Sequence, residues 1–292
     1  MTSSRSSGDR PAEPVGAILL RWRKRRRLTG QQLGDRVGMS QAKISRLETG
    51  AVAAEPGDVR LLAEALEMPA VEAERVVELA EHADDRLIEW TSAGADQATR
   101  QHEIGRAEAA AKEIRILQPT VIPGLLQTSE YARAILSAHE RQADPHGADS
   151  AVTEAVIARM QRNQILHAGD REFHFLITEQ VLRNQVCRPA EMISQIDRMR
   201  EISRFPNVRL AIITDDAPLP IAPYHGFFVA DGRWVSVDLF TGAWRSTGRG
   251  TVRAYRQAFD ALEAVATTDI DDLLDAYQAR YARMLVPNQL SR

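Results

Sequence analysis

Cysteine is almost missing from this chain. Cys187 stands alone among 292 residues, so no disulfide forms within it, and a reducing, cytoplasmic setting is expected. A small packing residue is the expected role for that thiol. Long apolar runs are missing too. No stretch approaches the roughly 18 residues that a membrane span needs, and Met1 to Arg10 lacks the apolar centre of a signal peptide. Catalytic patterns are equally scarce. His82, His102, His139, His146, His167, His174 and His225 are scattered, with no metal-ligand spacing among them. No Gly-rich phosphate loop follows a strand, and no Gly-x-Ser-x-Gly elbow occurs. Glu172, Glu179, Asp215, Asp216 and Asp238 read as solvated carboxylates. The expectation is no enzyme, no cofactor and no metal.

What the chain does have is an imbalance of charge along its length. The net charge of −3 by itself speaks against nucleic acid. Residues 1–50 reverse that: they hold 11 Lys and Arg against 4 Asp and Glu, a net of +7, which leaves −10 for residues 51–292. A basic head on an acidic body suits a protein that meets phosphate at one end only.

Within that head, Leu28 to Gly50 reads as two short helices around a tight corner. Thr29 is an N-cap, since its hydroxyl can accept a backbone N–H of the first turn. Leu33 and Val37 lie four apart on one face, as a buried stripe requires. Gly38 stands where the first helix must stop in the left-handed region. Ser40 caps the second helix, and Ile44 and Leu47 turn inward. Gln41, Ala42, Lys43, Ser45 and Arg46 are left facing out. That face carries the function. A major groove admits one α-helix, where Gln reads adenine, Arg reads guanine and Ala touches a thymine methyl. Gln41, Ala42 and Arg46 are the base-reading candidates. Lys43 and Ser45 are candidates for the phosphate backbone, together with Arg21, Arg25, Thr29, Gly30 and Gln31.

These residues also carry a resemblance. Val15 to Leu66 resembles the helix-turn-helix domain of xenobiotic-response-element-type repressors. The matching marks are Leu19, Arg23, Thr29, Leu33, Gly38, Ser40-Gln41, the run from Ile44 to Glu48, and Gly50. The resemblance implies double-stranded DNA as partner and an Arg23–Glu48 pair that keeps Arg23 off the DNA. Gly30 departs from it, because many such domains place Gln there. Only the backbone N–H of Gly30 can then reach phosphate, through the helix N-terminus.

Taken in order, Met1 to Pro14 reads as a disordered arm. Val15 to Arg27 reads as a helix with Ile18, Leu19 and Trp22 inward and a basic outer side. Glu55 to Leu66 and Pro69 to Leu87 follow as helices, with Val59, Leu62, Ala63 and Leu66 on one stripe and Val71, Val76 and Leu79 on another. The head is thus an all-α domain over residues 15–89, and its single reading helix implies a homodimer. Residues 90–99 read as a linker.

Residues 100–292 read as an α+β domain with about five strands, built for sensing and dimerisation. The strands expected are Glu113 to Gln118, Phe173 to Thr178, Val208 to Thr214, Tyr224 to Ala230 and Trp234 to Phe240. Asp231-Gly232 is the hairpin turn of the last two. His139 to Asp149 reads as a polar loop, and Ala151 to His167 as a helix with Val152, Val156, Ile157 and Met160 inward.

Glu113 to Ala134, with its Pro-Gly-Leu-Leu-Gln-Thr run, is similar to the actinobacterial WhiJ-like regulators, as are Arg159 to Leu166 and the segment around Glu179. That similarity implies an antitoxin-like transcription regulator, nucleoid-associated in the cytoplasm. It further implies an input, a small acidic partner protein or a small-molecule ligand. Sequestering that partner, with DNA binding for autoregulation, is the alternative reading. Pro123, Leu125, Leu126, Gln127 and Tyr131 read either as partner or ligand residues or as a helix packed on a sheet behind a rigid turn. The tail departs from the group's pattern: Asp238-Leu-Phe stands where many members have Glu, and Gly242 to Gly250 is rich in Gly and Arg.

Overall fold

The computed structural model describes residues 13–52, 54–82, 88–89, 97–143, 149–240 and 242–286. Most of the expected arm and residues 90–96 of the expected linker lie outside them. The chain forms two compact units, the first made of residues 1–86 with 248–250 and the second of residues 87–247 with 251–292.

The first unit is all-helical. It consists of α1 (Val15–Arg25), α2 (Gly30–Val37), α3 (Gln41–Glu48), α4 (Pro56–Ala65) and α5 (Ala70–His82). Ile18, Leu19, Leu33, Ile44, Leu47, Val59, Leu62, Leu66 and Val76 make its core. Val71 does not join them. It is 81% exposed, and Val77 and Ala80 are buried beside Val76 instead. The reason is angular: five residues at about 100° each put Val71 roughly 140° away from Val76.

The corner between α2 and α3 follows the expected caps. Thr29 Oγ1 accepts from the N–H of Gln32 while Gln32 Oε1 accepts from the N–H of Thr29, a capping box. Gly38 ends α2 with φ at 69°, a conformation that costs a side-chain-bearing residue more. Ser40 Oγ accepts from the N–H of Lys43 at 3.2 Å. The tightest point is Gly34, where a Cβ would stand 2.3 Å from the Met39 carbonyl oxygen. Only a residue without a side chain lets the chain fold back so closely. Two arginines then close the carbonyl end of α4. Arg26 donates to the Leu66 and Glu67 carbonyls at 2.8 and 2.6 Å, and Arg36 to the Ala65 carbonyl at 3.3 Å.

The second unit opens with β1 (Ile88–Glu89), α6 (Gln97–Ala110), β2 (Glu113–Gln118), α7 (Ser129–Ala143) and α8 (Asp149–Arg162). It continues with β3 (Glu172–Thr178), the short α9 (Gln180–Arg183), α10 (Pro189–Ser203) and β4 (Val208–Ile213). β5 (Phe227–Ala230), β6 (Trp234–Leu239), β7 (Gly242–Ser246), α11 (Arg249–Glu263) and α12 (Asp271–Leu285) complete it.

Among the described residues, seven strands form one sheet in the order β1-β7-β6-β5-β2-β3-β4. β2, β3 and β4 pair in parallel, and the remaining pairs are antiparallel. The fold is therefore α+β, with a mixed sheet. Alternation along the strands sorts its two faces. Ile114, Ile116, Phe173, Phe175 and Ile177 turn to the layer that holds α10 and α12. Leu117, Leu176, Phe227 and Val229 turn to Val252, Phe259 and Leu262 of α11.

Several expectations are corrected. The two strands beyond the expected five are β1 and β7, so residues 88–89 belong to the second unit's sheet and not to the head. Both escaped pattern reading because β1 is two residues long and β7 lies in the Gly- and Arg-rich tail. α6 starts at Gln97, inside the expected linker. α7 runs to Ala143, through the first part of the expected polar loop. Ile157 is 52% exposed, while Ala155 and Ala158 take the inner positions of α8. Tyr224 precedes β5 and is exposed. The Asp231-Gly232 turn is as expected, with both residues at positive φ, 51° and 59°.

Gly34→Ala should lower the unfolding free energy of the first unit by about 1–3 kcal/mol, the usual cost of forcing extra volume into a closed contact. Equilibrium urea unfolding measures it, and an unmoved midpoint would show that the corner has room to spare.

Candidate nucleic-acid interface

α3 presents two opposite faces. Ile44 and Leu47 are buried, at 1% exposure each, while Gln41, Ala42, Ser45 and Arg46 are exposed. The base-reading candidates thus share the outward side of one helix. The Nε of Arg46 donates to its own helix at Ala42 O, 3.3 Å away. Gln41 lies over Gly30: a Cβ on residue 30 would sit 3.5 Å from Gln41 Cγ. The start of α2 and the start of α3 are therefore side by side, which places the Gly30 backbone next to the first base-reading candidate.

The backbone-contact candidates differ in how free they are. Arg25 is exposed and stacks over Trp22 at 5.1 Å. Thr29 is engaged in the capping box. Gln31 donates to Asp35 at 2.7 Å. Arg21 lies between Glu13 and Glu72, at 3.2 and 3.9 Å. Lys43 is held by Asp58 at 2.7 Å, so its ammonium must exchange a carboxylate for a phosphate to serve DNA. Of the basic run in α1, Arg26 is taken by α4.

Arg23 is turned inward. Its Nε and Nη2 donate to the two carboxylate oxygens of Glu48 at 2.6 and 2.7 Å, and its Nη1 donates to the Leu28 carbonyl at 2.8 Å. Hydrogen bonding to Glu48 raises the pKa of this guanidinium further, against the opposing effect of burial. One side chain thereby ties α1, the turn before α2 and the end of α3 together.

In the second unit, the five partner candidates are all buried. Pro123, Leu125, Leu126, Gln127 and Tyr131 are enclosed by the protein; the Tyr131 hydroxyl and the Gln127 amide nitrogen bond to backbone, while Gln127 Oε1 accepts from Arg159. The N–H of Ile122 donates to Tyr131 Oη at 3.1 Å, and Gln127 Nε2 donates to the Ile122 carbonyl at 2.7 Å. Gln195 accepts from the N–H of Thr128 and donates to the Leu126 carbonyl, at 2.7 and 2.8 Å. Burial pushes the Tyr131 phenol above its ordinary pKa. Leu125 and Gln127 also line a cavity of about 180 Å³.

Two groups have roles that the sequence did not assign, and one of them corrects an expectation: Glu179 is no solvated carboxylate, its side chain being only 16% exposed. Gln101, Glu108, Arg159 and Arg162 form a polar cluster at that cavity, and its sequence signal was the Arg159-to-Leu166 match, with two arginines three apart on α8. The second group surrounds Glu179, which accepts from Tyr277 Oη at 2.8 Å and from the N–H of Asp215 at 3.0 Å, with Arg183 paired to Asp215. Glu179 and Asp215 therefore tie the C-terminal end of the sheet to α12. Cys187 is half-buried, and its thiol is pushed up to about 11 by burial, with Glu191 and Glu130 adding to the effect. That makes it a poor nucleophile. Among the described residues, no three His, Cys, Asp or Glu side chains are grouped as a metal set would be.

Comparison with known proteins bears on both units. A family model described as a helix-turn-helix domain matches residues 15–76. A model described as a domain of unknown function, DUF5753, matches residues 101–271, more than half of the chain. No curated protein matches. Among solved structures, TrmBL2, an archaeal chromatin protein reported with a novel mode of DNA binding, matches over 82% of this chain and 88% of that one. Its TM-score is 0.30 and its identity 9%, too low to bear on fold or function.

Removing one partner of a mostly buried pair strands the other. Glu48→Ala should cost about 3 kcal/mol, and the double variant with Arg23→Ala should be less destabilised than the two single losses combined. A double-mutant cycle by urea unfolding reads the coupling, and a value near zero would remove this pair from the scaffold of α3.

Proposed function

From the premise that the chain belongs to the DUF5753 family and opens with a helix-turn-helix domain, we propose a sequence-specific transcription regulator of the xenobiotic-response-element type, WhiJ-like in its pairing of units. The observation that carries it is the division of α3, with Ile44 and Leu47 sealed in the core and Gln41, Ala42 and Arg46 exposed on the other side. A helix so divided can enter a major groove without unfolding its own domain. Arg25 and the amide end of α2 at Gly30 supply the phosphate contacts that set its register.

The protein acts as a homodimer, because one such helix reads few base pairs, and two of them lie about one DNA turn apart. It works in the cytoplasm at the nucleoid. Among the described residues no helix is long and apolar enough to cross a membrane. The second unit takes the input, and the reading includes no catalytic step. Burial of Leu125, Leu126, Gln127 and Tyr131 favours a small molecule over an acidic partner protein as that input.

Binding-site selection on the full chain tests the reading. The expected outcome is a palindrome with half-sites about one turn apart and an affinity that falls steeply with salt. Arg46→Ala should lose roughly 1–3 kcal/mol on the selected site and relax preference at one base position. Arg25→Ala should weaken all sequences alike and lower the salt slope by about 1. A selection that enriches no motif would refute sequence-specific recognition by the free protein.

A further inference from the structure

The cavity of about 180 Å³ in the second unit lies beneath α6 and α8, against β2, β5 and β6. Its wall is apolar on one side, with Ile104, Ile116, Leu125 and Ile135, and aromatic at the stacked pair Phe228 and Trp234, whose centroids are 4.8 Å apart. Its other side is cationic. Arg162 is neutralised there by Glu108, to which it donates twice, at 2.9 and 2.6 Å. Arg159 is not. Its Nε and Nη1 donate only to the neutral amide oxygens of Gln101 and Gln127, at 3.0 and 2.8 Å, and among the described residues no carboxylate lies within ion-pair distance of it.

Arg159 is half-buried, and a guanidinium partly withdrawn from water without a directly bonded counter-charge is costly. Burial, reinforced by the like charge of Arg162 and only partly offset by Asp238 and Glu108, brings the pKa of Arg159 down to about 9. The group still carries its proton at neutral pH, so the cost stands as a charge with no carboxylate bonded to it. Asp238 lines the same cavity and offers little relief. Solvent reaches it, yet protein crowds it enough that desolvation raises its pKa, against the pull of Arg159, Arg162 and Arg100. Arg100 adds to the positive field, and its Nε is buried without a hydrogen-bond partner. Two arginines, one of them without a bonded carboxylate, therefore face an apolar and aromatic chamber.

We propose that this cavity binds a small monocyclic carboxylate, its anionic group on Arg159 and its ring against Phe228 and Trp234. Size agrees with that class. A cavity of roughly 150 Å³ accepts benzene, so this one takes a single ring with a short acidic arm. The proposal deepens the reading of the second unit as the part that takes the input. It also gives the Pro-Gly-Leu-Leu-Gln-Thr segment a task, since Leu125 forms wall and Gln127 holds Arg159 in place.

Calorimetric titration of the full chain, free of DNA, tests it with benzoate, phenylacetate and 3-phenylpropionate, and with phenylacetamide as the neutral counterpart. At least one acid should bind with a Kd below about 1 mM, and the amide about tenfold more weakly. Arg159→Gln, with its fold checked by thermal unfolding, should weaken the acid by about tenfold or more, while Arg159→Lys should retain part of the affinity. If Arg159→Gln does not fold, Ala107→Leu serves, since it takes up cavity volume and leaves Arg159 in place; it too should weaken the acid about tenfold. Absence of binding by all three acids, equal binding of acid and amide, or a folded variant of unchanged affinity would each overturn the proposal. Operator binding is measured separately, so a failure of DNA recognition and a failure of ligand binding are distinct results.

Discussion

The first unit depends on the bidentate contact of Arg23 with Glu48. At eight residues, α3 is too short to hold its own shape, so its orientation must come from its neighbours. Arg23 supplies it from α1, gripping the last residue of α3 with two donors and the Leu28 carbonyl with a third. Ile44 and Leu47 fix the same helix from beneath. The Gly34 contact with Met39 sets how tightly α2 and α3 fold on one another. With these three constraints met, Gln41, Ala42 and Arg46 have only one direction to face.

In the second unit the equivalent constraint is the satisfaction of buried polar groups. The segment between β2 and α7 turns sharply under the sheet layer, so its amides and carbonyls lose water. Tyr131, Gln127, Gln195 and Asn163 replace it, each bonding to backbone of that segment. Arg159 is then drawn in by Gln127, and the network ends at a cavity instead of at a counter-charge. A fully satisfied structural core would have closed on a carboxylate. That this one does not is the physical ground for reading it as a binding site.

Much of the head was legible because its signals are local. Thr29, Gly38 and Ser40 act within one turn of themselves, and their caps follow from side-chain type and spacing alone. The hairpin at Asp231-Gly232 is legible for the same reason, and so are the five expected strands, which are short apolar runs bounded by turn residues. Two apolar residues, Val71 and Ile157, leave the expected inner face for an angular reason. Val71 and Ile157 each stand five positions from a buried valine, and on a helix that distance turns a side chain well away from the core.

The sequence by itself determined the capped two-helix unit, the basic head, the strand-rich second unit and which side of α3 is apolar, because each depends on neighbours within a few residues. Tertiary structure alone decided which charges are free. Arg26 is spent on α4, Lys43 on Asp58 and Arg162 on Glu108, partners 15 to 54 positions away along the chain. It also decided that Arg159 meets two amides and no carboxylate. Charge pairing depends on distance in space, and residues so far apart in sequence have no distance until the chain has folded.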